Sequence, residues 1–247
     1  MAENAIIYRN CRSVLNKTNE LAFILNKFSP LILCLTETWL EIHYPNTALP
    51  LQDYQIYKKD RATRGGGVLL AVKNDISSRA VLLSAGDLEI IGADVIYDKS
   101  SHIRIICAYL PPQSSPELAS DLFATISANI DIFAPYIVLG DFNLPDVNWI
   151  DSVFPAGHLY TNLEKFYIQH QPMHQLINFP TRDKNILDLA FTNDEKLFIS
   201  VESLPNLGAS HHSVVKLSIR IPTMMKAQCI IKNFRKADFV SIKREIL

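Results

Sequence analysis

Residues 137–149 read IVLGDFNLPDVNW, an apolar strand pattern that runs into Gly140 and then into polar side chains. Side chains alternate between the two faces of a strand, so Asp141 and Asn143 leave the strand end on the same side. A carboxylate and an amide directed at one small volume suit the positioning of a water molecule. Aspartate and asparagine also close ordinary turns, and this stretch by itself favours neither interpretation.

Several other apolar runs, far apart in the chain, also end in polar side chains. In LILCLTETWL, Glu37 follows a buried strand, and a carboxylate at a strand end is a natural ligand for Mg²⁺. The run AIIYRN ends in Asn10, while Tyr109 and Asp188 stand at or within two further strands. Each of these residues, taken alone, is more often a surface or packing residue. Their recurrence in distant segments favours one shared site.

Two adjacent histidines precede the last strand pattern, in the segment GASHHSVV. Because neighbouring side chains of an extended chain point to opposite sides, His211 and His212 cannot both face one site. A zinc site is also disfavoured, since the chain offers no other Cys/His grouping of zinc spacing. We expect one histidine inside a site and the other outside it.

The composition limits the classes of protein that this chain can be. With 247 residues, of which 48% are hydrophobic and 20% charged, it can bury a large core, which excludes a disordered scaffold. A formal net charge of −1 means that a nucleic acid would have to be held by a local patch. The apolar runs are shorter than the roughly 20 residues of a membrane-spanning helix, and the first residues do not resemble a secretory signal. We therefore expect an intracellular protein without a membrane segment, whose four cysteines are reduced and mostly buried: Cys11, Cys34, Cys107 and Cys229.

The hydrophobic pattern predicts many strands and few helices. Apolar stripes of helical spacing indicate helices over residues 21–28, 118–133 and 159–168. Strands are predicted over residues 5–10, 31–37, 68–72, 88–97, 103–110, 136–140, 186–192, 197–203 and 213–221. Since helices and strands do not alternate regularly, the pattern favours an α/β domain with two packed sheets flanked by helices over a doubly wound parallel sheet. Pro222 ends the last strand, which predicts one domain over 1–221 and a basic connector over 222–247.

Taken in order, these segments resemble the endonuclease/exonuclease/phosphatase superfamily, and most closely the endonuclease domain of LINE-type (non-LTR) retrotransposon polyproteins. The motifs that carry the resemblance are NCRSVLNKTNEL, LCLTETWL, the GGGV turn, AYLPP, VLGDFN, FPTRDKNILDLAFTN and SHHSVV. The resemblance implies a four-layered, DNase I-like α/β sandwich with two central sheets and a site at the sheet ends. It continues into NFRKADF, which is similar to the connector that leads to a reverse transcriptase.

The resemblance also implies roles for residues that bind metal and substrate. Glu37 would bind a divalent metal, Mg²⁺ or Mn²⁺, with Asn10 nearby. Tyr109 would hydrogen-bond the scissile phosphate. Thr181 matches a threonine that contacts phosphate in these nucleases, and Arg61 would contribute to substrate binding.

The remaining implied roles concern the reaction itself. Asp141 would orient or deprotonate the attacking water with the help of Asn143, and His212, paired with Asp188, would stabilise the transition state. The family usually has an aspartate immediately before the catalytic histidine, where this chain has His211. This departure replaces a carboxylate near the metal by an imidazole and predicts weakened metal binding, with the histidine–aspartate pair intact.

Three functions remain open at this point. The first is a Mg²⁺-dependent endonuclease that nicks double-stranded DNA in the nucleus and leaves a 3′-hydroxyl for reverse transcription. The second is a catalytically weakened or inactive retroelement relic, with His211 as its lesion. The third is a phosphatase or phosphodiesterase of the same fold. The basic stretch over residues 58–64 favours a nuclease over a phosphatase.

Overall fold

The computed structural model describes residues 4–61, 65–84, 86–99, 101–205 and 211–220. The predicted connector over 222–247, with Cys229, lies outside the described residues. Cys11, Cys34 and Cys107 are buried free thiols, as predicted. No helix in the described ranges is long and apolar enough to span a membrane.

Strands dominate the described part of the chain. Along the sequence they are β1 (Ala5–Asn10), β2 (Ile32–Thr36), β3 (Tyr54–Lys59), β4 (Val68–Lys73), β5 (Ser78–Val81), β6 (Glu89–Ile96), β7 (His102–Tyr109), β8 (Tyr136–Asp141), β9 (His174–Gln175), β10 (Asp188–Thr192), β11 (Phe198–Leu204) and β12 (Val214–Ile219). The α-helices are α1 (Thr18–Phe28), α2 (Pro116–Ser127) and α3 (His158–Gln169). Three short 3-10 helices cover Leu15–Lys17, Asn46–Ala48 and Glu195–Leu197.

The strands form two six-stranded sheets. The first sheet has the order β11-β12-β1-β2-β4-β3, and the second has the order β5-β6-β7-β8-β10-β9. Each sheet contains one parallel pair, β1 with β2 and β7 with β8, and every other pairing is antiparallel. Parallel neighbours need a crossover connection, which α1 provides in the first sheet and α2 in the second.

The two sheets pack face to face, with helices on both outer sides. Alternate residues of β1 illustrate the layering: Ile6 and Tyr8 lie in the core between the sheets, whereas Ile7 packs with Leu21 and Ile24 of α1. On the other side, α2 and α3 pack over the outer face of the second sheet. The layers are therefore helix, sheet, sheet and helices, and the predicted four-layered α/β sandwich is confirmed.

Two details of the predicted secondary structure are wrong. The second helix ends at Ser127, six residues before the predicted end at 133. Beyond it, the Asn129 side chain donates to the Thr125 carbonyl oxygen and the Asp131 carboxylate accepts from the Phe133 amide, so side chains take the backbone groups that a longer helix would pair. The strands β3, β5 and β9 were not predicted. All three lie at sheet edges, where half-exposed strands carry a weak apolar signal.

Candidate active site

Asn10, the last residue of β1, connects the two sheets at the centre of the site. Its side-chain amide donates to Glu37 Oε1 at 2.9 Å and to Asp141 Oδ2 at 2.8 Å. Glu37 directly follows β2, and Asp141 ends β8. One amide from the first sheet therefore holds a carboxylate of each sheet, which brings together three residues that the sequence predicted separately.

The backbone at Glu37 is held in a conformation that non-glycine residues rarely adopt. The φ angles of Glu37 and Trp39 are 49° and 54°, in the left-handed region. Neighbouring chain segments fix this geometry: the Ser13 amide donates to the Glu37 carbonyl oxygen, and the Trp39 amide donates to the Gly66 carbonyl oxygen, both at 2.9 Å. The indole N–H of Trp39 also donates to Glu37 Oε2 at 3.3 Å. Such constrained backbone is typical of binding and catalytic sites.

His212 and Asp188 form a buried pair next to Asp141. His212 Nδ1 lies 2.8 Å from Asp188 Oδ2, and His212 Nε2 lies 3.8 Å from Asp141 Oδ2. Asp188 begins β10 and is the register partner of Asp141 on β8. The imidazole thus lies between two carboxylates, and all three side chains are almost fully buried.

Burial and the charges of neighbouring side chains change the pKa values of Asp141 and His212. Burial, and then the charge of Asp188, raise the pKa of Asp141 to about 8, against the opposing effects of His212, Asn10 and the Asn143 amide. Burial disfavours the charged imidazole, but the hydrogen bond to Asp188 and the two carboxylate charges outweigh it and raise the pKa of His212. A carboxylate that titrates near neutral pH is suited to accept a proton from water.

Asn143 and Tyr109 border the same carboxylate. The backbone amide of Asn143 donates to Asp141 Oδ1 at 3.0 Å, and the side-chain amide of Asn143 donates to the Leu110 carbonyl oxygen at 2.9 Å. Tyr109 ends β7 opposite Asp141 in the strand register. Burial, followed by the charges of Glu37 and Asp141, raises the pKa of the Tyr109 phenol well above its usual range, so this side chain remains a hydrogen-bond donor.

Thr181 lies behind Asp188. Its buried hydroxyl oxygen accepts from the backbone amides of Leu187 and Asp188, both at 3.1 Å. The Ser213 amide donates to the Thr181 carbonyl oxygen at 2.8 Å, next to His212. Thr181 therefore fixes the start of β10 and the segment that carries the imidazole.

Arg61 is engaged by a carboxylate of the protein itself. Its guanidinium lies 3.3 Å from Glu89 Oε1, and the Gly67 amide donates to Glu89 Oε2 at 2.5 Å. Burial raises the pKa of Glu89, while the Gly67 amide and Arg61 oppose that shift. A cleft of about 460 Å³ is lined by Arg61, Glu89 and Tyr109, so Arg61 lies at the rim of a groove that reaches the site.

The triple-glycine turn is required by this same contact. Gly66 has φ +66°, and a Cβ atom there would lie 2.2 Å from Glu89 Oε2. A Cβ atom on Gly67, at φ +87°, would lie 2.5 Å from the Thr38 hydroxyl oxygen. Glycine allows the turn to approach both Glu89 and the strand end that carries Glu37.

His211 and His212 are on different sides of the chain, as expected. His212 is 1% exposed, whereas His211 is exposed to solvent. The site therefore contains one imidazole, and the position of the departure from the family pattern faces outward.

The donor set fits a hard divalent cation. The two Glu37 carboxylate oxygens each accept one N–H group, which leaves lone pairs for a metal, and the Asn10 side-chain oxygen is a further ligand of the type that Mg²⁺ binds. Asp141, Asp188 and His212 form a second cluster, in which one ligand atom from each residue lies within 4.8 Å of the others. A cation beside these carboxylates would offset the repulsion that raises the pKa of Asp141.

Sequence reasoning missed two residues that adjoin the site. Tyr8 donates its hydroxyl to Asp188 Oδ1 at 2.7 Å, and Glu89 is the register partner of Tyr109. Tyr8 lies on the same face of β1 as Asn10, so the alternation of side chains could have indicated it. Glu89 lies in a strand of apolar residues, and a buried carboxylate there was a signal of the same kind.

Comparison with known proteins gives one family match and several structural matches. Residues 103–216 match a family model described as "endonuclease-reverse transcriptase". No curated protein sequence matches the chain. The resemblance predicted from the sequence motifs is confirmed by the family model and by the structural matches.

Solved structures share the fold at low sequence identity. An AP endonuclease from Archaeoglobus fulgidus superposes with a TM-score of 0.69 at 14% identity, over 88% of this chain and 100% of that chain. The endonuclease domain of TRAS1, a telomere-specific non-LTR retrotransposon, gives a TM-score of 0.66 at 15% identity, over 89% and 100%. A 3′ phosphatase, NExo from Neisseria, bound to a product DNA hairpin, gives 0.66 at 15% identity, over 88% and 100%. The fold is thus one that nucleases and phosphatases use.

Proposed function

We propose that this protein is a divalent-metal-dependent DNA endonuclease that hydrolyses one phosphodiester bond of duplex DNA and leaves a 3′-hydroxyl. The observation that carries the proposal is the continuous network from Glu37 through Asn10 to Asp141 and on to His212. This network joins a metal ligand, a base and an acidic imidazole within one site. Phosphodiester hydrolysis needs these three elements.

The side chains divide the reaction between them. Asp141 accepts the proton of the attacking water, which the Asn143 side chain helps to position, while the bond from phosphorus to the 3′ oxygen breaks and that oxygen takes up a proton from solvent to become the 3′-hydroxyl. His212, held through Nδ1 by Asp188 and favoured in its charged form, donates one hydrogen bond from Nε2 to a phosphate oxygen as negative charge develops there. Tyr109 donates a further hydrogen bond to the scissile phosphate. Glu37 and Asn10 would hold the divalent metal, which when bound supplies positive charge to the same oxygens.

The proposed biological role is that of a retrotransposon endonuclease. The match to the endonuclease-reverse transcriptase family model and the likeness to the TRAS1 domain support this role. A nick with a free 3′-hydroxyl would prime reverse transcription on chromosomal DNA, which requires action in the nucleus. Arg61 at the rim of the cleft is the proposed contact to the DNA backbone, whereas Thr181, whose buried hydroxyl binds the start of β10, would act on the phosphate only through Asp188.

Plasmid nicking tests this proposal directly. Purified protein is incubated with supercoiled DNA in Mg²⁺, Mn²⁺ or EDTA, and the open-circle product is quantified. The nicked ends are then extended by a polymerase, which requires a 3′-hydroxyl. We expect metal-dependent nicking that Asp141→Asn abolishes and that Asp121→Asn, an exposed change on α2, leaves intact.

A second candidate function follows from His211, which directly precedes His212. His211 stands where the family usually has an aspartate, so the protein could be a relic that retains the fold with weakened metal binding. No metal-dependent nicking by the parent protein, together with nicking by His211→Asp, would support the relic. Release of phosphate from small esters without nicking would instead indicate a phosphatase.

A further inference from the structure

Tyr8 is a fully buried residue of β1 that contacts the histidine–aspartate pair from behind. Its hydroxyl donates to Asp188 Oδ1 at 2.7 Å, while Asp188 Oδ2 lies 2.8 Å from His212 Nδ1. The two oxygens of one carboxylate are therefore used by two different groups. This division fixes the rotation of the Asp188 carboxylate about its own axis.

The direction of the hydrogen bonds follows from the number of available protons. A phenol has one proton, and Tyr8 gives it to Asp188, which has none to offer when ionised. The contact of 2.9 Å between the Tyr8 hydroxyl and Thr36 Oγ1 must then be donated by Thr36. The chain of donors runs from Thr36 to Tyr8 to Asp188, whose other oxygen faces the imidazole. Hydrogen bonds aligned in this way reinforce one another in a buried environment.

This chain crosses between the two sheets. Tyr8 and Thr36 belong to the first sheet, whereas Asp188 begins β10 of the second. Two residues further along β1, Asn10 donates in the same way to Asp141. Because Asp188 and Asp141 are register partners, β1 presents one donor to each of two neighbouring carboxylates.

We propose that Tyr8 is a positioning residue for the Asp188–His212 pair, an inference that rests on the proposed nuclease function. The Tyr8 hydroxyl is occupied by its contacts to Asp188 and Thr36, so it acts through the carboxylate and not on the substrate. It acts by holding the carboxylate in the rotation that receives His212 Nδ1. Without the hydroxyl, Asp188 Oδ1 would lose this buried donor, and the carboxylate would turn toward other donors and misplace the imidazole.

The chain offers a matched control for the removal of this hydroxyl. Tyr136 is also 0% exposed, and its hydroxyl has no hydrogen-bond partner among the described residues. Tyr8→Phe and Tyr136→Phe therefore delete the same atom from two buried tyrosines, and only the first deletion touches the site. Thr36→Val is a third variant, which removes the donor to Tyr8 and keeps the side-chain shape.

Two measurements separate positioning from a general structural effect. The first is the steady-state rate of nicking, for which we expect Tyr8→Phe to lower kcat about 10- to 100-fold with little change in KM. Thr36→Val should lower kcat less, and Tyr136→Phe should leave it near the parental value. The second is the NMR signal of the proton between His212 and Asp188 in protein labelled with ¹⁵N-histidine, which we expect to shift or broaden in Tyr8→Phe alone of the two tyrosine variants.

Each outcome decides the proposal. A fall in kcat together with a changed His212 signal supports it. Equal behaviour of Tyr8→Phe and Tyr136→Phe in the NMR measurement overturns it, and so does a fall in kcat with an unchanged His212 signal. If the parent does not nick DNA, the nuclease proposal fails while the NMR comparison still decides the role of Tyr8. If Tyr8→Phe does not fold, the same two criteria are applied to Thr36→Val.

Discussion

The first and second sheets have the same succession of pairings from edge to edge, two antiparallel, one parallel and two antiparallel, yet they contribute different chemistry to the site. The first sheet and its adjoining segments supply hydrogen-bond donors and an imidazole, through Tyr8, Asn10 and His212. The second supplies the two carboxylates on either side of the imidazole, Asp141 and Asp188, while Glu37 beside the first sheet shares the Asn10 donor with Asp141. Asp141 and Asp188 are each bound by a donor of β1.

The site therefore depends on how the two sheets pack against each other. In both sheets the side chains concerned lie on the inner face, since they continue the alternation of core residues such as Ile6 on β1 and Ile137 on β8. Two buried carboxylates in one sheet repel each other, and the other sheet supplies the compensation. Neither sheet could therefore form the site alone.

Breaking the pair that joins imidazole and carboxylate across the sheets should have the largest effect. Asp188→Asn keeps the shape but removes the charge that orients His212 and stabilises its protonated form. We expect the nicking rate at saturating Mg²⁺ to fall about 10²- to 10⁴-fold. Initial rates on supercoiled plasmid measure this, with the exposed Asp121→Asn as the matched control. A loss of less than tenfold would contradict the role given to the pair.

Changing Glu37, the proposed metal ligand next to the first sheet, should lower the nicking rate less, and a higher Mg²⁺ concentration should restore that rate. Glu37→Gln removes the negative charge and leaves one acceptor oxygen, so the side chain can keep the contact to Asn10 or the contact to Trp39 but not both. We expect the Mg²⁺ concentration for half-maximal nicking to rise roughly 10- to 100-fold, as found when metal sites lose supporting groups. A Mg²⁺ titration tests this against Glu117→Gln, a change on an exposed residue of α2. Identical titration curves for both variants would show that Glu37 does not hold the metal.

Restoring a carboxylate beside His212 should increase activity. Position 211 faces outward, so an aspartate there would attract a cation in the site through its negative charge and not as a ligand. We expect His211→Asp to raise the initial nicking rate about tenfold at limiting Mg²⁺, with the difference shrinking as the metal saturates. His43→Asp makes the same change at a distant exposed site. No gain at any Mg²⁺ concentration would remove His211 as an explanation for low activity.

The repulsion within the second sheet should be visible as a pH-dependent stability in metal-free protein. The pKa of Asp141 is raised to about 8 on folding, and the pKa of His212 is raised as well. A raised pKa means that the folded state binds the proton more tightly, so this stability is present in acid and is lost as pH rises through the folded pKa. We expect the unfolding free energy in EDTA to fall between pH 5 and pH 9.

The variant Asp141→Asn isolates the contribution of that carboxylate. Its unfolding free energy should fall less over the same range, since an amide has no proton to lose as the pH rises. Urea titrations at several pH values measure both proteins. If the unfolding free energies of the parent and of Asp141→Asn changed with pH in parallel, the ionisation of Asp141 would not be the cause of the pH dependence.

The sequence predicted the individual members of the site better than their connections. Asn10, Glu37, Asp141 and Asn143 were identified because strands end in polar residues there, and strand ends are readable from the alternation of the chain. That Asn10 bonds two carboxylates could not be predicted, because the pattern within one strand does not specify which residues of another sheet lie opposite.

Two further differences have the same physical origin. Arg61 was expected to contribute to substrate binding, and its pairing with Glu89 depends on the packing of the glycine turn against β6. Tyr8 was read as part of an apolar strand, since a tyrosine in a core is ordinarily a packing residue. In both cases the deciding partner lies far away in the sequence.

Because β1 lies between β2 and β12, the first sheet can form completely only late in synthesis. The second sheet is drawn from one continuous segment, residues 78–192, and its contacts can form while the ribosome is still translating the remainder. The first sheet pairs Ala5 with Ser218, so its closure waits for a contact of very long sequence separation, the slow kind of folding event. Because His212 precedes the strand that makes this closure, the candidate site of a nascent chain is assembled only after β12 has emerged.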